Sequence, residues 1–100
     1  MGIETRSAVK HREHLKEPEM YRVVLLNDDY TTMDFVVTIL ELVFRKSAAE
    51  AEKIMLDVHK NGRGVAGCYT EDVARTKAAQ VHTVAAQKQF PLACVVEPDK

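Results

Sequence analysis

The first regular pattern in the chain is a short apolar run that ends in an acidic bend. Residues 21–26 read Tyr-Arg-Val-Val-Leu-Leu, and a short apolar run rich in β-branched residues predicts a buried strand. The run stops at Asn27, Asp28 and Asp29, which favour turns because their side chains satisfy nearby backbone donors. The pattern therefore predicts a first strand that ends in a polar turn.

The apolar spacing then changes to that of an amphipathic helix. From Met33 onward, apolar residues recur at intervals of three and four, which places them on one helical face. Thr31 and Asp34 have the spacing of a cap pair. We predict a first helix that runs to about Lys46.

A second helix and a second strand follow. Residues 47–50 read Ser-Ala-Ala-Glu, which is a capping box. The apolar positions after it again have helical period, until Asn61 and Gly62 provide a left-handed stop. Residues 64–69 are short and contain valine and tyrosine, so they fit a strand.

A third helix and a third strand complete the pattern. Thr70 caps a helix whose apolar residues reach Ala85, the longest of the three. Phe90 and Pro91 end it, since proline disfavours a helical predecessor, and residues 92–96 form the last strand. The order is β-α-α-β-α-β. It predicts an α+β fold in which three helices pack on one face of a three-stranded, mainly antiparallel sheet.

The chain divides into a polar arm and one folded unit. Residues 1–18 are charged throughout and nearly lack apolar residues, so they cannot bury enough surface to offset the entropy of ordering. We expect a flexible N-terminal arm at residues 1–18 and one domain at residues 19–100. The formal net charge is -1, which gives no positive field to attract nucleic acid.

Composition also limits location and cofactors. The longest apolar-rich stretch, residues 35–44, is far shorter than the roughly 20 residues that cross a bilayer, and the N-terminus lacks a secretory pattern. Cys68 and Cys94 are too few and too far apart for a metal or redox motif. We expect a cytoplasmic monomer with reduced thiols, no membrane span, no cofactor and no metal.

The best candidate for a binding site lies where the two first helices could approach the acidic turn. Met55, Val58 and His59 share one face of helix two, because they are three and four residues apart. Helix one opens with Met33 and Val36 directly after the turn. If these ends meet, they form an apolar pocket with acceptor groups at its rim. Such a pocket suits an apolar side chain attached to a positively charged amine, as at the start of a protein chain.

The same residues have simpler interpretations, which stay open at this point. The turn can serve only its own backbone, His59 can be an ordinary core or surface residue, and the methionines can be core filler. A magnesium-dependent receiver domain is disfavoured because it needs strands and helices that alternate around a parallel sheet. A metal at His59 with Asp28 or Asp29 lacks further ligands. No serine or cysteine nucleophile has a paired base, which leaves an interaction domain without a ligand pocket as the alternative.

Several stretches of the sequence resemble one known family. They are Leu26-Asn27-Asp28-Asp29-Tyr30-Thr31 with Met33-Asp34-Phe35-Val36, Met55-Leu56-x-Val58-His59, Tyr69-Thr70 with Val73-Ala74-x-Thr76-Lys77, and Pro91-Leu92. Over about residues 20–97, in order and without a gap, they resemble the ClpS family, the bacterial N-degron adaptors of the ClpAP protease. The resemblance implies a non-enzymatic adaptor that binds proteins beginning with Leu, Phe, Tyr or Trp and delivers them to the unfoldase ClpA.

The resemblance also implies roles for individual residues. The α-amino group would be held by Asn27, Asp28 and His59. The hydrophobic pocket would be shaped by Asp29, Thr31, Met33, Val36, Met55, Val58 and Leu92. Met33 would act as a gatekeeper that crowds the β-carbon of the ligand, so that β-branched Ile and Val fit badly. Asp72 and Lys77 match positions that meet the N-terminal domain of ClpA, and the arm matches the segment that engages ClpA during hand-off.

The sequence departs from the family pattern at three positions. Thr32 stands where the family usually has proline, so we expect a looser start of helix one with the pocket residues still in place. Asp72 and Arg75 replace the more usual glutamates on the ClpA face, which puts the partner contact in more doubt than the ligand contact.

Overall fold

The computed structural model describes residues 18–100 and confirms the predicted element order. Its elements are β1 (Met20–Leu26), α1 (Met33–Leu42), α2 (Ala48–Asn61), β2 (Arg63–Thr70), α3 (Glu71–Gln87) and β3 (Ala93–Pro98). Except for Pro18, the predicted N-terminal arm lies outside the described residues. Within residues 18–100, no helix combines the length and the apolar character needed to cross a bilayer.

β1 is the central strand of the sheet. The strand order is β2-β1-β3, and both pairings are antiparallel. Val23 and Leu25 are fully buried on one face of β1, in the same hydrophobic cluster as Ile39 of α1 and Val81 of α3. Since side chains alternate along a strand, this is the face that the helices cover, as the α+β class predicts.

The other face of the sheet carries an ion pair between its two edge strands. Val24 points to this face and is nevertheless fully buried. Arg63 pairs with Leu26 and Glu97 pairs with Arg22, so the 2.5 Å contact between the Arg63 guanidinium and the Glu97 carboxylate joins the two edge strands diagonally. Val24 lies between its direct cross-strand neighbours Val65 and Val95 on this face, which accounts for its burial on the central strand.

The start of α1 differs from the prediction. Thr32 is the N-cap, and its hydroxyl oxygen accepts a hydrogen bond from the backbone N–H of Phe35 at 3.1 Å. The predicted cap pair of Thr31 and Asp34 is therefore wrong. The threonine that we expected to loosen the helix start supplies a side-chain cap, an interaction that proline cannot make.

Two helices are followed by residues with a left-handed backbone conformation, which sequence reasoning did not identify. Arg45 has a φ of 57°, so α1 stops before the predicted Lys46. Gln89 has a φ of 61° after α3, and Phe90 donates its N–H to the carbonyl of Ala85 at 2.9 Å. This pattern is a Schellman motif, so the helix is already closed before Pro91.

The end of α2 follows the prediction and fixes its position against the sheet. The capping box opens this helix as predicted, and Gly62 closes it with a φ of 85°. A Cβ at Gly64 would lie 2.8 Å from Cγ2 of Val58, so β2 begins in close contact with the last turns of α2. Gly62 thus allows the chain to turn, and Gly64 leaves room for Val58, so the last turns of α2 lie directly against the start of β2.

Replacing Gly62 tests this closure. We expect Gly62→Ala to lower the free energy of unfolding by about 1–2 kcal/mol, because an L-residue is strained at positive φ. Nothing lies within 4 Å of the added Cβ, so the loss reports backbone strain alone. Gly62→Asn is the matched control and should lose less, because asparagine tolerates this region. Equal urea unfolding midpoints for the three proteins would contradict this account.

Candidate binding site

A backbone hydrogen bond joins the bend after β1 to the end of α2. The N–H of Asn27 donates to the carbonyl oxygen of Gly62 at 2.9 Å. This bond continues the β1–β2 ladder one step beyond the pairing of Leu26 with Arg63. His59 lies in the last turn of α2, so the bond places the turn that carries His59 beside the bend.

The carboxylate of Asp28 fixes the shape of the bend. Its Oδ1 accepts the backbone N–H groups of Tyr30 and Thr31 at 2.8 and 2.7 Å, and its Oδ2 accepts the hydroxyl of Thr31 at 2.7 Å. Partial burial would raise the pKa of Asp28, but these hydrogen bonds from Thr31 and Tyr30 outweigh it, and the pKa is lowered. The side chain therefore stays negatively charged at neutral pH, with further acceptor capacity on Oδ2.

A cleft of about 520 Å³ opens between this bend and the two helices. Small-ligand sites span about 300–1,000 Å³, so the cleft is large enough for an amino-acid side chain and its neighbouring backbone. Its lining consists of residues 27–32, Met33 and Val36 of α1, and Met55, Val58 and His59 of α2.

The cleft has an apolar floor and a polar rim. Val58 and Val36 are 2% and 5% exposed, and Met55 is half-buried, whereas Asp29 and His59 are exposed. Carboxylate, amide and neutral imidazole groups all supply acceptors, so the rim suits a positively charged donor and the floor an apolar group. Within the described residues, no cluster of three or more His, Cys, Asp or Glu could hold a metal ion.

Leu92 is not among the residues on the surface of this cleft, and its place in the pocket stays a prediction. The residue is 3% exposed and belongs to the hydrophobic core. It lies two residues before Cys94, which also points into the core, and the alternation of side chains along an extended segment sends both to the same side. The other residues expected at the amine site and in the pocket all line the cleft.

Sequence reasoning missed two residues of the cleft. Tyr30 and Thr32 line it, although neither was proposed for the pocket. Thr32 was detectable, because it lies between two residues that were proposed. The position of Tyr30 was not, because the residue is 77% exposed, and periodicity does not predict which way a loop side chain points.

The residues expected to meet a partner lie on one face of α3. Asp72 is exposed, and together with Lys77 it lines a shallow groove of about 330 Å³. The Nζ of Lys77 donates to the carbonyl oxygen of Val43 at 2.8 Å and lies 5.7 Å from the ring centre of Tyr69. Lys77 therefore also holds the end of α1 against α3, so its ammonium group is not available to a partner alone.

The sequence and the fold match known proteins. A profile described as "ATP-dependent Clp protease adaptor protein ClpS" matches residues 16–95. The ATP-dependent Clp protease adapter protein ClpS of Acetivibrio thermocellus is 63% identical over 84 residues, which cover 84% of this chain and 85% of that protein. The protein of the same description from Deinococcus radiodurans is 54% identical over 98 residues, covering 98% and 87%. The solved structure of Agrobacterium tumefaciens ClpS2 bound to L-phenylalaninamide matches with a TM-score of 0.80 and 37% identity, covering 83% of this chain and 100% of that chain.

Proposed function

Since this chain belongs to the ClpS family of Clp protease adaptors, we propose that its cleft binds the first residue of proteins that begin with a bulky hydrophobic amino acid. The bound proteins are delivered to the ClpA unfoldase of the ClpAP protease, and the adaptor acts as a cytoplasmic monomer. As a protease adaptor, the chain is not an enzyme. One observation carries the proposal: the acceptor groups of the bend and of His59 surround the same cleft whose floor is apolar.

The α-amino group at the start of a protein chain matches the rim. It is a cation with three N–H donors, and the proposed acceptors are Asn27, the ionised carboxylate of Asp28 and a ring nitrogen of His59. Charge-assisted hydrogen bonds of this kind contribute about 1.5–3 kcal/mol each. An internal residue has no such ammonium group, so this rim distinguishes the start of a chain from its interior.

The side chain of the first residue matches the floor. Burying a large apolar side chain contributes about 1.5–3 kcal/mol, and association costs at least about 4 kcal/mol. With three hydrogen bonds at the amine, the dissociation constant is about micromolar at its tightest. Binding therefore needs both halves of the cleft, which explains selection for bulky apolar residues such as Leu, Phe, Tyr and Trp.

The ligand of a related structure supports this chemistry. L-phenylalaninamide, bound by Agrobacterium ClpS2, combines a free α-amino group with an apolar benzyl side chain. Because its carboxyl group is an amide, it resembles the first residue of a peptide. An interaction domain without a ligand pocket, the remaining alternative, gives no reason for the cleft described above.

Blocking the amine is the first test. A fluorescent peptide that begins with free Leu or Phe should bind with a dissociation constant in the micromolar range. The same peptide acetylated at its amine should bind at least about 100-fold more weakly, because it loses the charge and two donors. A peptide that begins with Gly controls for the side chain. Equal anisotropy titrations for the free and acetylated peptides would refute amine recognition.

Substitution tests His59. His59→Ala removes one acceptor from the rim, and we expect it to weaken binding of the Leu peptide by at least about tenfold. His59→Gln keeps an acceptor and should lose less, while His82→Gln on α3, away from the cleft lining, should leave binding unchanged. Equal affinities of His59→Ala and the unsubstituted chain would remove His59 from the amine site.

Met33 is the proposed gatekeeper at the cleft mouth. It is 49% exposed and lines the cleft, which supports the proposal that its side chain crowds the β-carbon of a bound residue. We expect Met33→Ala to raise the affinity for peptides that begin with Ile or Val by about tenfold. Met20→Ala, at a similarly exposed methionine on β1, should leave selectivity unchanged. If Met33→Ala still excludes Ile and Val, another residue sets this selectivity.

The groove on α3 is the proposed contact for the N-terminal domain of ClpA. Asp72→Lys should weaken binding to that isolated domain by at least about tenfold and leave binding of the Leu peptide unchanged. Gln87 lies about 22 Å further along the same helix than Asp72, so Gln87→Lys serves as the control. We avoid Lys77→Ala because it also removes the bond to Val43. If Asp72→Lys and Gln87→Lys bind the ClpA domain with equal affinity, the partner surface lies elsewhere on the chain.

A further inference from the structure

Methionine is concentrated at the cleft. The chain has four methionines, and two of them, Met33 and Met55, line this one cavity. Met33 is 49% exposed, whereas Met55 is half-buried. Thioethers are the side chains that peroxides oxidise to sulfoxides, and Met33 combines solvent access with a place at the cleft mouth.

We propose that Met33 is a site of reversible oxidation by peroxides that closes the cleft to hydrophobic first residues. In this step the Met33 sulfur attacks one oxygen of hydrogen peroxide, the O–O bond breaks and an S–O bond forms. Sulfur loses two electrons, and the departing hydroxide takes the proton from the oxygen now bound to sulfur, which leaves the sulfoxide and one molecule of water. The inference rests on the proposed function, because its consequence is a loss of binding at the same cleft.

The methionine sulfoxide that forms is a poor match for the apolar floor of the cleft. A sulfoxide is polar and bulkier than the thioether, and oxidation at apolar interfaces disrupts packing. At the cleft mouth the new oxygen would be desolvated by each bound apolar side chain, next to buried Val36. We expect affinity for a Leu peptide to fall at least about tenfold.

The effects of cysteine oxidation can be separated from those at Met33. Partial desolvation, together with the neighbouring carboxylate of Asp99, raises the pKa of the Cys68 thiol, and burial raises the pKa of Cys94 to about 11. Since the thiolate is the reactive form, both thiols are less reactive at neutral pH than cysteines with an ordinary pKa. Their reversible oxidation products are reduced by dithiothreitol, whereas a methionine sulfoxide requires a sulfoxide reductase. The two kinds of damage are therefore separable.

Met20 provides a matched control. It is 40% exposed, close to the value for Met33, but it begins β1 and does not line the cleft. Met20→Leu should therefore respond to peroxide as the unsubstituted chain does. Met33→Leu keeps a similar volume but has no sulfur, and its binding is compared only with its own untreated sample.

The experiment treats the full chain and both variants with hydrogen peroxide, maps each oxidised methionine by peptide mass spectrometry and titrates a Leu peptide. The proposal expects the loss of binding to follow oxidation of Met33, to persist in dithiothreitol and to be restored by methionine sulfoxide reductases. Met33→Leu should change by less than about twofold on treatment.

The outcomes separate this inference from the proposed function. If the untreated chain binds the Leu peptide and the chain oxidised at Met33 binds it equally well, the inference alone is overturned. The same holds if Met33→Leu loses as much affinity as the unsubstituted chain, or if Met20 is oxidised while Met33 is not. If the untreated chain does not bind the peptide, both proposals are overturned.

Discussion

The binding site depends on one backbone hydrogen bond, from the N–H of Asn27 to the carbonyl oxygen of Gly62. This bond joins two segments that are more than thirty residues apart in the sequence. One is the acidic bend after the central strand, and the other is the closing turn of the helix that carries His59. Because Gly62 adopts a positive φ, the chain can end the helix and enter β2 within one residue. The acceptors proposed for an amine and the apolar floor thus become parts of one cleft.

Several side chains hold the fold and also face a proposed partner. Asp28 accepts two backbone N–H groups of its own bend on Oδ1 and the hydroxyl of Thr31 on Oδ2, and the same interactions lower its pKa and keep it charged. Lys77 donates to the last turn of α1 while it lines the groove proposed for ClpA. In a small domain, such double use means that binding and stability change together. Substitutions at Asp72 or Met33 are therefore cleaner probes of function than those at Lys77 or Asp28.

The local pieces of the site were predictable, and their proximity was not. Helical spacing placed Met55, Val58 and His59 on one face, and the Asn61-Gly62 pair correctly predicted the stop. That this stop lies beside the acidic bend follows from strand pairing, which spacing does not determine; the family resemblance supplied that expectation. The spacing of Thr31 and Asp34 predicted the wrong cap. The hydroxyl of Thr31 donates to Asp28, and Thr32 caps the helix instead.

A titration of the full chain with L-leucinamide, followed by nuclear magnetic resonance, tests the central claim most directly. The claim is that amine acceptors and apolar floor form a single site. It predicts that signals of Asn27, Asp28 and His59 shift together with those of Val36 and Val58, with one common dissociation constant, while signals of Asp72 on α3 stay unchanged. Shifts confined to the bend, shifts with separate affinities at the bend and the floor, or no shift at His59 would contradict it.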